Sequence, residues 1–281
     1  MSSLALYGRD SAAAAANGLD PLRYKYRFLA EGDSWMDRSS ATTGSLPEFL
    51  AQAMDAGGDE VLIVNLSMFG HTMRHIGEVV QGEFAGWIDF WNFDAILLSA
   101  AGNDFIDAAR DEAPGQGLLR DMAGQPLPAQ GYDCVKQDAV ASLVTDYLDP
   151  NFKVLYDAVR NSAKNAATPI FLNLYDTPVA RDAPAPPGKT AWLFEAYRKN
   201  AIDPSLWPDL TDGIFNDVQM AITGWQKDRI GVHLVPTDGT LKAALPGDKG
   251  DSGDWINEIH PNAKGWKKLA KVWRETMLGV I

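Results

Sequence analysis

The sequence predicts an α/β fold: a three-layer α/β/α sandwich built on a mostly parallel central sheet of about five strands. Two observations carry this. Five short segments, at 26–30, 61–66, 94–100, 169–174 and 230–235, are almost continuously apolar, the pattern of strands covered on both faces. Segments with apolar residues at helical spacing lie between several of them, and such alternation implies crossover connections and helices on both faces of the sheet.

Taken in order, residues 1–23 read as an N-terminal arm, a loose segment or a weak helix, and 24–281 as a single domain. YRFLA (26–30) is the first strand and runs into Gly32-Asp33-Ser34-Trp35. Ser45 and Glu48 form a capping box with Pro47 in the first turn. Leu46, Phe49, Leu50, Ala53 and Met54 then make an apolar helical stripe. VLIVNL and DAILLSA are the second and third strands, and a helix follows from Phe152. PIFLNL precedes a helix marked by Ile214, Val218, Ile222 and Trp225. IGVHLV precedes a last helix with Trp266, Leu269, Ala270, Trp273 and Met277 on one face. Two stretches break the pattern, 111–150 and 178–210; the second contains APAPPG and then AWLFEAY. Such excursions either cover and shape an active site or decorate the surface.

A chain of 281 residues suffices for a sizeable core. Its formal net charge of −12 disfavours nucleic acid and anionic membranes as partners. The single cysteine, Cys134, allows no intrachain disulfide and reads as a small apolar residue. No basic leader with a long apolar run opens the chain, and no apolar run reaches the ~20 residues of an integral membrane segment. The expectation is a soluble protein, provisionally cytoplasmic, with secretion by another route left open. Oligomeric state is not legible.

Four short clusters carry the chemistry. Ser34 follows the first strand, where a serine is exposed for catalysis or merely caps the next turn. Gly70, in Asn65-Leu66-Ser67-Met68-Phe69-Gly70-His71-Thr72, is able to bring a backbone N–H close to a ligand or is an ordinary loop glycine. Asn103, in Gly102-Asn103-Asp104, points an amide into the same crevice or serves as a turn residue. His260, in Asn257-Glu258-Ile259-His260-Pro261, is one of four histidines and a credible general base.

In this order, each after a successive strand or before the last helix, the clusters resemble the SGNH hydrolase superfamily, the GDSL-type esterases and lipases. The resemblance spans residues 32 to 261. It implies a flavodoxin-like sheet and a serine hydrolase that cleaves carboxylic esters without a cofactor. Ser34 matches the nucleophile and His260 the base. The oxyanion hole would comprise the Ser34 N–H, the Gly70 N–H and the Asn103 side chain. Phospholipid, thioester, acetylated carbohydrate and simple ester substrates all fall within its range, so the partner is a small-molecule or lipid ester. One position departs. The family's Asp, three residues before the histidine, is here Asn257. Three readings stay open: Asn257 orients the imidazole through its carbonyl, Asp254 or Glu258 supplies the acid, or Ser34 and His260 act as a dyad. Trp35, Met36, Met68, Phe69, His71 and Trp91 line a pocket or belong to the core. Asp33 reads as a brace accepting backbone N–H groups, and Asp104 and Asp107 as helix caps. His71, His75 and Glu78 could share a helix face and bind a metal, but the pattern is not H-E-x-x-H, and no metal is expected. No G-x-S-x-G, G-x-G-x-x-G or Walker motif appears. A catalytically silent binding protein on the same scaffold, or an interaction module with an acidic surface, are the readings from other classes.

Overall fold

The computed structural model describes residues 2–38, 44–185, 190–227 and 229–281. Six parallel strands form one sheet: β1 (Leu4–Tyr7), β2 (Tyr26–Gly32), β3 (Val61–Asn65), β4 (Ala95–Ser99), β5 (Ile170–Asn173) and β6 (Val232–Val235). Their spatial order is β1-β3-β2-β4-β5-β6. Every residue of β3 and β4 is buried, as continuous apolar runs require of strands with helices on both faces.

The sheet has one strand more than the apolar runs predict. Leu4 to Tyr7 pair with Leu62 to Asn65 as a parallel edge strand, and α1 (Gly8–Ala16) follows. The expected loose arm therefore includes a strand. LALY is short and only half-buried, so neither length nor an unbroken apolar run marked it. Its partner lies more than fifty residues away in sequence.

The remaining helices are α2 (Leu46–Ala56), α3 (Met73–Val79), α4 (Ala85–Phe90), α5 (Gly102–Arg110), α6 (Gln137–Ser142), α7 (Asp149–Asn161), α8 (Leu193–Lys199), α9 (Trp207–Lys227) and α10 (Ala263–Leu278). Helix α2 starts in the expected capping box of Ser45 and Glu48. It packs against α10. On the other face α3 packs on α7, and α7 meets α9 through Phe152 stacked on Trp225 with centroids 4.5 Å apart.

Both excursions contain helix. The first closes with α6, a π-helical turn (Leu143–Leu148) and α7 in unbroken succession, because Val140, Leu143, Val144 and Tyr147 turn toward the core. The second holds α8 and a short 3₁₀ turn at Pro204–Leu206. Residues 186–189, at the end of APAPPG, lie outside the described residues.

Strand β2 is the switch point. The chain leaves it to one side for β3 and returns across it to β4, and ligand crevices form at the carboxyl ends of strands where the order reverses. Gly32 ends β2 at φ +148°, and a Cβ there would sit 2.3 Å from the Ser99 carbonyl oxygen. Only glycine allows β2 and β4 to stay this close.

Candidate active site

The loop after β2 is tied down from several directions. The Asp33 N–H donates to the Ser99 carbonyl and the Met36 N–H returns to the Asp33 carbonyl, both at 3.0 Å. The Asp33 carboxylate accepts the Trp35 N–H (3.0 Å), the Ser99 hydroxyl (3.0 Å) and the Tyr175 hydroxyl (2.5 Å). Burial pushes its pKa up to about 6 against the pull of these donors. Asp33 is thus a brace, and hydroxyls from two neighbouring strand ends do more of the bracing than backbone amides. Ser34, held between Asp33 and Trp35, is 3% exposed.

His260 arrives from the loop before α10. This loop is closed by the Ile256 N–H bonding the His260 carbonyl at 2.9 Å. Within it the Asn257 Oδ1 accepts the backbone N–H of Ile259 (3.2 Å) and of His260 (2.9 Å). An atom that accepts two amide protons is the oxygen, so the amide orientation is settled by its partners. The same Oδ1 lies 2.9 Å from His260 Nδ1, and that nitrogen must therefore carry the proton. Nε2 is left as an acceptor, 2.8 Å from Ser34 Oγ. Burial drives the His260 pKa down to about 3, which keeps the ring neutral at ordinary pH. Trp35 joins the two loops: its Nε1–H donates to the Ile259 carbonyl at 3.2 Å. Its ring packs edge-on against Tyr175 and Trp266.

The two carboxylates near His260 are engaged elsewhere. Asp254 accepts the Lys242 N–H and pairs with Lys268 Nζ at 2.5 Å. Its pKa is lowered, with the Lys268 and Lys242 donors outweighing burial. Asp254, the alternative acid in the sequence, thus has its charge paired with lysine. Glu258 is fully buried and receives the backbone N–H groups of Arg181, Trp192, Leu193 and Phe194. Among the described contacts, only Asn257 meets Nδ1.

The second loop is fastened to the first. The Met68 N–H donates to the Gly32 carbonyl at 3.1 Å, the Phe69 N–H to Asp37 Oδ2 at 2.7 Å, and the Asn65 amide to the Met36 carbonyl at 2.9 Å. Gly70 has φ +78° with open space where a Cβ would stand, so conformation and not crowding calls for glycine. Asn103, at the start of α5, donates one amide hydrogen to the His71 carbonyl at 3.0 Å, and its other hydrogen has no partner among the described residues. Asp104 accepts the Met73 N–H with both oxygens, at 3.0 and 3.1 Å, and locks α5 to α3. Ala101, just before α5, sits at φ +83°, a conformation other residues avoid.

Ser34 and Asn103 line one narrow crevice with Ile106, Tyr175, Pro178 and Phe215. Gly70 is exposed on the adjoining loop and is not among its lining residues. Neither the Ser34 N–H nor the Gly70 N–H is bonded to another group among the described residues. Of the expected pocket residues, Trp35 edges the crevice. Met68 and Phe69 are 57% and 44% exposed, with the Phe69 ring centroid 6.0 Å from that of His260. His71 stacks on His75 beside the loop. Met36, open between pocket and core in the sequence, is wholly buried and belongs to the core. Trp91 packs with Trp87 and Phe93. Among the described residues no group of three or more His, Cys, Asp or Glu is arranged to hold a metal, and no helix is long and apolar enough to cross a membrane.

Three participants escaped the sequence: Tyr175 and Arg181, which support the loops, and Trp192, whose ring meets His260 edge-on at 5.3 Å. A tyrosine just past a buried strand and an arginine inside an excursion were the only signals.

No family profile matches the chain, and no curated relative matches it. Solved structures do resemble it. The lipase Lip_vut3 from a goat rumen metagenome superposes with a TM-score of 0.58 at 12% identity, over 89% of this chain and 97% of that one. A family 3 carbohydrate esterase from Clostridium thermocellum gives 0.49 at 13% identity, over 91% and 96%. A lipase/acylhydrolase from Enterococcus faecalis gives 0.46 at 12%, over 90% and 96%. At these identities the likeness is one of fold.

Proposed function

We propose that this chain is a serine hydrolase of carboxylic esters, with Ser34 as nucleophile, His260 as base and Asn257 as the residue that orients His260. The observation that carries the reading is the relay in which Ser34 Oγ lies 2.8 Å from His260 Nε2 while His260 Nδ1 lies 2.9 Å from Asn257 Oδ1. A hydroxyl so placed has an acceptor for its proton in the right tautomer.

In the first step the Ser34 oxygen attacks the acyl carbon and His260 Nε2 takes the hydroxyl proton. The carbonyl oxygen becomes an oxyanion, for which the Ser34 N–H, the Gly70 N–H and the free hydrogen of the Asn103 amide are the donors. One such preorganised donor is worth ~3 kcal/mol of barrier. Collapse of the intermediate breaks the ester C–O bond, and His260 returns the proton to the departing alkoxide. Water, deprotonated in turn by His260, then attacks the acyl-enzyme and releases the acid and free Ser34.

Incubation with a fluorophosphonate, read by intact mass, tests the assignment. The wild-type chain should gain one adduct, which Ser34→Ala abolishes and His260→Ala strongly slows. No adduct on the wild type, or equal labelling of Ser34→Ala, would refute it.

A further inference from the structure

The crevice beside Ser34 differs sharply in size from its surroundings. Its cavity volume is about 10 Å³, room for roughly one water-sized group. Its walls are well packed. Ile106 comes from α5, Phe215 from α9, and both are almost fully buried. Tyr175 is pinned through its hydroxyl to Asp33 and Ser99, and Pro178 closes the side. Behind that wall lies an apolar cavity of about 530 Å³ lined by Pro178, Val179, Ala180 and Trp207, together with Pro208 and Thr211 of α9. Pro178 borders both spaces. Phe215, which lines the slot, follows Thr211, which lines the larger cavity, by one turn of α9, so the two side chains share one face of that helix.

The two sides of the reacting ester are told apart by His260. The leaving group must lie near Nε2, which donates its proton. His260 does not line the slot; its ring is flanked by Phe69 and Trp192, and the Phe69 side is open to solvent. The slot is therefore left for the acyl group.

We infer that the slot confines the acyl group to acetyl size, with Phe215 as the wall residue that sets the limit, and that the alcohol side is permissive. This deepens the Ser34 reading and rests on it. A well-packed slot has no room for added methylenes, and a chain that overruns it costs roughly tenfold or more in kcat/KM when the pocket does not yield. A shorter side chain at 215 would join the slot to the cavity behind it and give a longer chain somewhere to go.

The test is a series of p-nitrophenyl esters from acetate to octanoate, with rates normalised to active sites titrated by fluorophosphonate. The wild type should fall at least about tenfold in kcat/KM between acetate and hexanoate. Phe215→Ala, and the milder Phe215→Leu should the first not fold, should raise the hexanoate-to-acetate ratio about tenfold or more. Octanoate hydrolysed as well as acetate by the wild type, or a chain-length profile unmoved by either foldable variant, would overturn the inference while leaving Ser34 as nucleophile. Failure to turn over any ester or to take the phosphonate would instead remove the Ser34 reading, and this inference with it.

Discussion

Replacing Asn257 by aspartate tests how the histidine is poised. In the wild-type chain the group facing Nδ1 is a neutral amide oxygen at 2.9 Å. No carboxylate offsets the burial of His260, and its pKa is held down at about 3. In the proposed mechanism the base is the neutral ring, so activity should be lost as pH falls through that pKa. The wild-type acid limb should therefore lie far below pH 6.5, the ordinary value for histidine, with kcat/KM nearly flat across the neutral range. In Asn257→Asp a carboxylate occupies the same position, still fixed by the N–H groups of Ile259 and His260. An opposite charge at this range raises a pKa by about 1–3 units, equivalent to ~1.4–4 kcal/mol in favour of the imidazolium. Two consequences follow with the same sign: the acid limb moves to higher pH by that amount, and kcat/KM at neutral pH rises by up to the corresponding factor of about 10–10³, because the transition state carries the imidazolium. The assay is kcat/KM against pH for both proteins, with circular dichroism at each pH to separate titration from unfolding. A wild-type limb near 6.5, or a variant limb at the wild-type position, would refute the argument that burial without a counter-charge governs His260.

Two further predictions concern the end of β2. Gly32→Ala places a Cβ 2.3 Å from the Ser99 carbonyl, and separating β2 from β4 should cost ~3 kcal/mol or more, read as a lowered urea midpoint together with loss of ester turnover. Glu31 is buried and one carboxylate oxygen has no partner among the described residues; burial raises its pKa from 4.5 to about 8. The folded state thus holds this proton longer than the unfolded chain, so the stability it contributes below pH 4.5 is lost as pH rises toward 8. His260, with its depressed pKa, acts with the opposite sign only between about 3 and 6.5. From pH 6.5 to 8 the wild-type midpoint should fall, and Glu31→Gln should fall less; equal slopes would show that Glu31 does not ionise on unfolding.

The sheet was largely legible because its strands are buried on both faces, and continuous apolar runs such as VLIVN admit little else. β1 was not, because an edge strand needs only half its surface covered and its pairing is non-local. Ser34, Asn103 and His260 were legible as short clusters in a fixed order after strands. The choice among Asn257, Asp254 and Glu258 was not, since all three are polar residues of one loop and the path of that loop decides which faces the ring. Lys268, a turn into α10, claims Asp254, and nothing within the loop itself announces that. Met36 illustrates the same limit from the apolar side: a methionine two residues after Ser34 suits a pocket or a core equally well by sequence, and only its complete burial in the fold decides for the core.

The path of that loop is set by the excursion that broke the strand–helix pattern. Arg181 is wholly buried, and its guanidinium donates to the carbonyls of Asp248 (2.9 Å), Gly250 (2.6 Å) and Asn257 (2.6 Å). Its own N–H bonds Glu258 Oε1 at 3.1 Å, while the Glu258 N–H returns to the Ala183 carbonyl at 2.9 Å. Glu258 also gathers the N–H groups that open α8 and so seats Trp192 beside His260. A segment meant only to cover the site would touch it through side chains able to part from it. These bonds instead run through a buried guanidinium, a buried carboxylate and one backbone pair, where a lost partner leaves a charge or amide unsatisfied in the interior. The described part of the excursion between Arg181 and Phe194 is accordingly a strut of the loop that carries His260. Asn257, bonded through its carbonyl to Arg181 and through its side chain to His260, is the residue that links the strut to the imidazole.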